Sequence, residues 1–342
     1  MPYRFAWGRD IQRMASHQFS TFTDPNEYRE RLRGADEQIM ILAPGDYRAE
    51  LTHLDFGTVL VQRSRQSLPH VAIGGAHPQL TSIVLLSRAE QPEVRINGIG
   101  AGGRDLLVLG AGSEYYQRAA GDLCWGSTTM PTVTLMASAG ILLGREIAPP
   151  PVTRLVTPSP GAMERMRSLH ESSAIMAASA PEGLHPRVAT ALQNALIEAM
   201  VLCLAPAVHN DTSIALDSRS AGVMRRFMEL VEAEPALPLS MIDVCAELGV
   251  SGRTLRQYCL RHLGLGPNRY LWLRRMNLAR RALSPGGGGI TVTQVANDFG
   301  FGELGRFAVR YRQLFGETPS ATLRRAGGAC RAGSPLTSRC PA

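Results

Sequence analysis

The chain has 342 residues, enough for two or three domains, and its six cysteines include no C-x-x-C pair, which argues against a disulfide framework or a zinc site. All 36 basic residues are arginine, but residues 1–218 carry 18 arginines against 21 acidic residues, whereas residues 219–342 carry 18 against 8. The C-terminal part is therefore expected to have a polyanion as its partner, and the acidic N-terminal part is not.

The beginning of the chain shows no export signal. Arg4, Arg9 and Asp10 leave no apolar core for a signal peptide. The longest apolar stretch, about Val133 to Leu143, is too short to cross a bilayer. We expect a cytoplasmic protein with no membrane partner.

Residues 1–150 have the pattern of a β-sheet domain. They are rich in glycine, proline, valine and threonine, and turn signals such as Pro44-Gly45-Asp46 and Asn97-Gly98 separate short apolar runs. The candidate strands among these runs are 59–62, 81–86, 106–109 and 132–136. This pattern predicts a β-sandwich or a barrel.

Four side chains of this domain are candidates for a ligand pocket. Arg63, His70, Tyr115 and Trp125 combine apolar walls with a few polar groups. His70 and His77 lie seven residues apart with no third ligand at suitable spacing, so no metal site is predicted. No phosphate-binding glycine loop, nucleophile elbow or metalloprotease motif is present, so we expect neither a cofactor nor an enzyme.

Residues 151–206 have helical periodicity, with one apolar stripe that includes Met163 and Met166 and another that includes Leu192 and Leu196. This helical pair either joins two copies of the chain or covers the edge of the sheet. Residues 207–218 are predicted to be a linker, and the segment 327–342, rich in Gly, Ser, Pro and Arg, a disordered tail.

The C-terminal part contains a duplicated unit. The segment His262–Pro267 is matched 52 residues later by Leu314–Pro319, while Gly249 is matched 51 residues later by Gly300. One structural unit has therefore been duplicated, with a residue inserted or lost near its turn.

The first copy is predicted to be helix, turn and helix. Ser240 and Ser251 are candidate N-caps of the two helices, and Gly249 supplies the turn between them. The apolar stripe of the first helix is assigned to Ile242, Cys245, Ala246 and Leu248.

The second copy repeats this logic. The segment Thr291–Gln294 has the form of a capping box, Gly300 supplies the turn, and Phe307, Tyr311 and Phe315 anchor the last helix. Two amphipathic hairpins in an ordinary helical domain are the alternative. Two matched copies favour helix-turn-helix units that place their second helices in the major groove of DNA.

Between the copies, residues 267–283 are predicted to be one helix with proline in its first turn. Seventeen residues span roughly 25 Å, which can hold two recognition helices about one turn of DNA apart, roughly 34 Å. The segment Gly286–Gly289 is expected to be a flexible joint before the second copy.

Residues 219–326 resemble the DNA-binding domain of the AraC/XylS family of bacterial transcription regulators. The motifs that carry the resemblance are Leu248–Leu255, Arg274–Arg280, Phe299-Gly300-Phe301 and Arg306–Pro319. The segment Gly300–Phe307 is similar to a subgroup that includes ethanolamine-utilisation regulators. The resemblance implies an N-terminal domain, often cupin-like, that binds an effector or mediates pairing.

Two sets of residues are expected to contact DNA. Base contacts are predicted for Arg253, Arg256 and Gln257 of the first copy and for Gly305, Ala308 and Val309 of the second. Phosphate contacts are predicted for Ser251, Arg261, Arg274, Arg280, Arg306, Arg310 and Arg312. Our hypothesis is that the first copy supplies most hydrogen-bonded base readout and the second mainly positions the domain.

Three positions depart from the family pattern, of which Gly302 replaces a bulkier residue at the start of the second recognition helix. Cys259 stands where the family usually has phenylalanine, which makes the first unit looser unless neighbours fill the space. Val309 stands where many members carry an arginine that contacts DNA.

The expected fold is α+β, with a β-rich N-terminal domain, a helical segment, and an all-α domain with two helix-turn-helix units joined by a linker helix. The expected function is that of a homodimeric, sequence-specific transcriptional activator that responds to a small-molecule effector. Its partners are double-stranded DNA and RNA polymerase. The alternatives are a DNA-targeted enzyme and a nonspecific, nucleoid-type DNA binder.

Overall fold

The computed structural model of the chain describes residues 16–88, 90–180, 183–205, 218–233, 240–284 and 290–331. The chain divides into two compact units, residues 1–39 with 47–221 and residues 40–46 with 222–342. Several predictions fall outside the described residues: the charged N-terminal segment, the linker at 207–217, the Gly286–Gly289 joint and the tail beyond residue 331.

The described part of the N-terminal unit contains two β-sheets. Its strands are β1 (Ser16–Phe22), β2 (Ala35–Ile41), β3 (Ala49–Asp55), β4 (Leu60–Gln66), β5 (His70–Ala76), β6 (Leu80–Leu86), β7 (Val94–Ile96), β8 (Ile99–Ala101), β9 (Leu106–Leu109), β10 (Glu114–Ala119), β11 (Leu123–Pro131) and β12 (Arg154–Val156). The seven-stranded sheet has the order β1-β3-β4-β11-β6-β9-β12, and the five-stranded sheet has the order β2-β5-β10-β7-β8. Neither order closes on itself, so the fold is the sandwich and not the barrel.

Alternation along the strands explains how the larger sheet is packed on both faces. On β9, Leu106 and Val108 belong to a core cluster shared with helices. Leu107 and Leu109, one residue out of step, belong to a second cluster shared with strands of the smaller sheet. Because successive strand residues point to opposite faces, one apolar run serves two cores.

The helices of this unit are α1 (Pro25–Arg31), α2 (Thr132–Leu143), α3 (Pro160–Ala178) and α4 (Pro186–Leu204). In the part of the chain that the structure describes, α4 is the one helix long and apolar enough to cross a membrane, and it exceeds the stretch singled out in the sequence. Leu196, Ala199 and Met200 of α4 are fully buried in the core against the larger sheet.

Two predictions for this unit are corrected. Residues 132–136, expected to be a strand, begin α2, because Leu135 and Ala139 lie one turn apart and are buried together. The region 151–206, expected to be helical, also contains β12, which pairs with β9 and places Leu155 opposite Leu107. A three-residue strand is too short to leave a periodic pattern.

The described part of the C-terminal unit is helical. Its helices are α5 (Ser218–Ala233), α6 (Met241–Leu248), α7 (Gly252–Leu263), α8 (Pro267–Leu283), α9 (Val292–Asp298), α10 (Leu304–Phe315) and α11 (Pro319–Arg331). The linker helix α8 has the predicted bounds and contacts α7, α9 and α11. Helix α11 continues to Arg331, five residues into the segment expected to be disordered.

The duplication is visible in the backbone. Helices α7 and α10 are both 12 residues long, begin 52 positions apart, and end at glycines with φ of 69° and 75°. In the turns, the Val250 amide donates to the Cys245 carbonyl at 3.1 Å, and the Phe301 amide donates to the Ala296 carbonyl at 2.8 Å. These two bonds keep the offset of 51, so the extra residue lies between Phe301 and the start of α10.

The capping predictions hold for three helices. The hydroxyls of Ser240 and Ser251 accept from the amides of Asp243 and Thr254, and a full capping box forms at Thr291. At the matching position before α10, the Glu303 side chain makes no cap hydrogen bond. It pairs with Arg306 at 3.0 Å.

The core of the first helix-turn-helix differs from its predicted stripe. Ile242 is 81% exposed, and the buried pair of α6 is Val244 and Leu248, one helical turn apart. The volume left by the small Cys259 is filled by Met224 of α5, whose sulfur lies 4.0 Å from the thiol sulfur. A neighbour therefore supplies the apolar contact that phenylalanine would have made.

Candidate nucleic-acid interface

Helix α7 presents one exposed polar face. Arg253, Arg256 and Gln257 are exposed at spacings of three and four residues, while Leu255 and Cys259 are fully buried on the opposite side. The Arg256 guanidinium lies beside Gly266, about 3.4 Å from the place a Cβ would take there. The helix therefore offers three long hydrogen-bonding side chains to a groove.

Helix α10 presents a different surface at the matching positions. Gly305 and Val309 are exposed, the latter by 57%, and Ala308 is half-buried. Phe307 and Tyr311 are buried beneath them, with ring centroids 5.6 Å apart, and the Tyr311 hydroxyl lies 2.9 Å from that of Thr322. The second recognition helix is thus firmly anchored but has small, apolar side chains where the first has arginines.

Most predicted phosphate contacts lie on the surface. Ser251, Arg306, Arg310 and Arg312 are exposed, and Arg261 is half-buried. Arg274 is also half-buried, and burial lowers its pKa, although the charge of Glu232 opposes that shift. The exposed members of this set remain the candidates for backbone contacts.

Arg280 was predicted to contact phosphate, but its place in the structure corrects this prediction to a structural role. It is 6% exposed, its guanidinium lies 3.5 Å from Glu317, and it stacks over Phe315 at 4.9 Å. Glu317 also accepts two hydrogen bonds from Arg325 at 2.6 and 3.1 Å. Glu317 therefore links α8 to α11, and it neutralises the charge of Arg280 inside the protein.

Three residues of α8 outside the predicted set, Arg269, Trp272 and Arg275, take part in cation–π contacts. On α8, the Arg269 guanidinium lies over the ring of Trp272 at 4.4 Å, and Arg310 of α10 lies 5.8 Å from the same ring. Nearby, Arg275 of α8 stacks on Phe301 at 5.3 Å. The spacing of three residues between Arg269 and Trp272 on a predicted helix was the signal available in the sequence.

The described part of the N-terminal unit has a small cavity between its two sheets, lined by apolar and polar side chains. Two of the four candidate pocket residues, Tyr115 and Trp125, line it together with Gln62 and Glu37. The Glu37 carboxyl, whose pKa is raised by burial, accepts a hydrogen bond from the Tyr115 hydroxyl. The space open to the centre of a water molecule is about 40 Å³. At roughly 10–15 Å³ for each water, this holds about three water molecules.

Arg63 and His70 do not belong to this cavity, which corrects their assignment. Arg63 lies next to the lining residue Gln62 on β4, so alternation turns it to the other face of the sheet, where it contributes to the electrostatics of His170. His70 is fully buried, and its Nδ1 lies 2.9 Å from the Leu68 carbonyl. No group of three metal-ligating side chains occurs among residues the structure describes.

Residues 244–325 match the family model described as a helix-turn-helix domain. A probable thc operon regulatory protein of Rhodococcus erythropolis is 35% identical over 41% of this chain and 42% of its own length. XylDLEGF operon transcriptional activator 1 of Pseudomonas putida is 35% identical over 34% of this chain and 35% of its own length. The alignments thus span less than half the length of these curated relatives.

Among solved structures, that of a probable AraC family transcriptional regulator from Rhodopseudomonas palustris is 36% identical. The match covers 31% of this chain and 97% of that chain, with a TM-score of 0.29.

Proposed function

The chain belongs to the AraC/XylS family through its C-terminal helix-turn-helix domain, and from this premise we propose that it is a sequence-specific transcriptional activator that acts in the cytoplasm. It binds promoter DNA and works with RNA polymerase. The observation that carries the proposal is the exposed face of Arg253, Arg256 and Gln257 on α7, paired with an equally long helix in the second copy.

The side chains of the two recognition helices indicate that α7 and α10 contribute unequally to base recognition. Arginine and glutamine can form paired hydrogen bonds with guanine and adenine edges, each worth about 1–3 kcal/mol of discrimination. Ala308 and Val309 offer only apolar contact to a thymine methyl. The first copy therefore supplies most of the base readout, and the second reads little beyond apolar groups and the backbone.

Two competing functions are less well supported. An alkyl-transfer enzyme needs a reactive thiolate, but burial raises the pKa values of Cys203 and Cys259 to about 12 and also raises that of Cys124. A nonspecific nucleoid-type protein binds the DNA backbone through positive charge alone. It does not need an exposed helix face whose side chains form directional hydrogen bonds with bases. The exposed face of α7 favours the regulator.

In vitro selection from a random duplex library with the full-length protein tests the proposal. We expect one enriched motif in which a half-site rich in guanine or adenine carries most of the information. Arg256→Ala should flatten one or two positions of this motif, while Arg225→Ala should leave it unchanged, because Arg225 lies on α5 and faces Glu229 at 3.8 Å. An unenriched library would point to the nucleoid-type binder.

We propose that the cavity of the N-terminal unit receives the small-molecule effector. Its polar groups include Glu37, Tyr115 and Gln62, and its apolar wall includes Trp125. With room for about three water molecules, an organic ligand enters only if these side chains or the sheets move. A screen for compounds that alter operator affinity, repeated with Tyr115→Ala, tests this: the response should be lost while affinity without ligand is kept.

The regulator acts as a homodimer in this proposal. The predicted pairing segment exposes Ile175 and Met176 on α3 by 60% and 36%. Light scattering after size exclusion should give twice the chain mass, and Ile175→Glu should reduce it to one. A wild-type protein that stays monomeric on a duplex with two half-sites would contradict this part.

A further inference from the structure

The ring of Trp272 holds two arginines from different helices at one place on the surface. Arg269 lies one helical turn before Trp272 on α8, and its guanidinium carbon is 4.4 Å from the ring centroid. Arg310, on the second recognition helix, lies 5.8 Å from the same centroid. Both arginines are exposed, and Trp272 is half-buried.

The two guanidinium groups are close enough to repel each other. Their distances to the shared ring place them within about 10 Å of each other, which is near the screening length of physiological salt. The pKa of Arg269 is lowered, first by partial burial and then by the charge of Arg310. Nor do the ion pairs found among the described residues include either arginine.

Other arginines of the same unit show what a neutralised arrangement looks like. Arg280 and Arg325 share Glu317, Arg306 pairs with Glu303, and all of these pairs lie within 3.5 Å. Among the residues that the structure describes, no carboxylate forms an ion pair with either arginine beside Trp272, and the quadrupole of the indole ring holds the two cations in place. Two guanidinium groups that an aromatic ring holds close together form a site that can bind an external anion.

We propose that Arg269, Trp272 and Arg310 form a phosphate clamp, which binds a backbone phosphodiester of DNA between the linker helix and the second recognition helix. The proposal rests on the proposed DNA-binding function and adds the site and its ligand. Trp272 acts as a positioning residue, because it orients both guanidiniums without contacting phosphate itself. Arginine suits this role, since its planar group stacks on the ring and still presents N–H donors at its edge.

The clamp also explains how the second copy can bind with few base contacts. One of its arginines belongs to α8, whose residue Arg275 stacks on Phe301 in the turn before α10. A phosphate held by Arg269 and Arg310 at once fixes the angle between α8 and α10 on the duplex. Register along the DNA then follows from a backbone contact and not from base readout.

A double-mutant cycle on DNA affinity tests the clamp. Arg269→Ala, Arg310→Ala and the double variant are compared with wild type by fluorescence anisotropy across a salt series, on a selected duplex and on a scrambled one. Each single variant should weaken binding to both duplexes by about tenfold. If one phosphate is shared, the double variant should lose about 20-fold and not about 100-fold.

The salt dependence gives an independent readout. Sharing one phosphate predicts that the double variant lowers the slope of log K against log salt by about 0.9, whereas two separate phosphates predict about twice that. Trp272→Leu keeps both charges, so it should weaken binding several-fold with nearly the same slope, and Trp272→Phe should recover part of the loss. Arg225→Ala is the charge-matched control on α5.

Several results would overturn the clamp. The clamp is wrong if Arg269→Ala binds DNA as well as the Arg225→Ala control, or if the losses of the two single variants multiply fully in the double variant. A lower melting temperature with unchanged salt slope would assign the arrangement a purely structural role. Stabilisation by inorganic phosphate that is lost in the double variant, with DNA affinity unchanged, would assign it to a free anion. Because the scrambled duplex is measured too, failure of sequence discrimination is seen separately from failure of the clamp.

Discussion

Two buried histidines should make the N-terminal unit sensitive to acid. Burial, aided by the charge of Arg33, lowers the pKa of His53 to about 4. Burial, with a smaller effect of Arg63, lowers the pKa of His170 to about 3, and its Nε2 lies 2.8 Å from the Thr128 hydroxyl. Both side chains stay neutral in the folded protein at pH 5, whereas a histidine in the unfolded chain is charged there.

The direction and size of the effect follow from these pKa values. The unfolded state binds more protons, so the free energy of unfolding falls as the pH drops below about 6.5, and the loss continues until the pH passes the folded values near 4 and 3. Between pH 7.5 and 5.0 each histidine removes about 2 kcal/mol, and the two remove about 4. Glu37 acts in the opposite direction, because its pKa is raised.

The assay must observe this unit separately from the C-terminal one. Met166 and Met200 are fully buried in its core, so their oxidation by peroxide across a urea series, followed by mass spectrometry, reports its unfolding midpoint. With a slope of about 2 kcal/mol per molar urea, each histidine corresponds to a shift of about 1 M between the two pH values.

The decisive comparison is His170→Gln, which keeps a polar group near Thr128 but cannot gain a charge. It should reduce the pH-dependent shift by the contribution of His170, about 1 M urea, while the contributions of Glu37 and of the buried His70 cancel between variant and wild type. His53→Gln serves as the second variant if His170→Gln fails to fold, and His17→Gln on β1 is the control. An unchanged pH dependence in both test variants would refute the reasoning.

Three further predictions concern the C-terminal unit, each measured by urea unfolding through oxidation of its own buried methionines. Glu317→Gln removes the carboxylate charge that faces the buried Arg280 and should cost on the order of 2–3 kcal/mol, whereas loss of a purely exposed pair would cost under about 1. Met224→Ala reopens the space beside Cys259 and should cost about 2–4 kcal/mol; a cost below about 1 would mean that α5 collapses into the gap. Gly249→Ala at φ 63° should cost about 1–2 kcal/mol, and no change would show that the turn relaxes.

Local signals predicted the C-terminal unit well. The α+β fold class and the family resemblance are confirmed, and the N-caps at Ser240, Ser251 and Thr291 form as expected. Each cap depends on residues within one helical turn, so the sequence contains all the needed information. The start of α10 is different: the Glu303 carboxylate pairs with Arg306 and makes no cap hydrogen bond at the matching position.

Predictions that needed contacts between distant residues were less successful. Arg280 looked like a surface arginine because its partner Glu317 lies far along the chain. The prediction that Arg63 lines the pocket was wrong because strand register decides which side chains face the cavity. A shift of one residue turns a side chain to the opposite face of the sheet. Residues 132–136 resemble a strand by composition, yet tertiary packing of Leu135 draws them into a helix.

The central claim is that the paired helix-turn-helix units read DNA sequence. The most direct test is fluorescence anisotropy of the full-length protein with duplexes from its own flanking intergenic regions, across a salt series, against a scrambled duplex of equal length. We expect the protein to prefer one flank by roughly a hundredfold or more, and this preference should persist at moderate salt. Equal binding to both duplexes, disappearing together as salt rises, would contradict it and leave only electrostatic attraction.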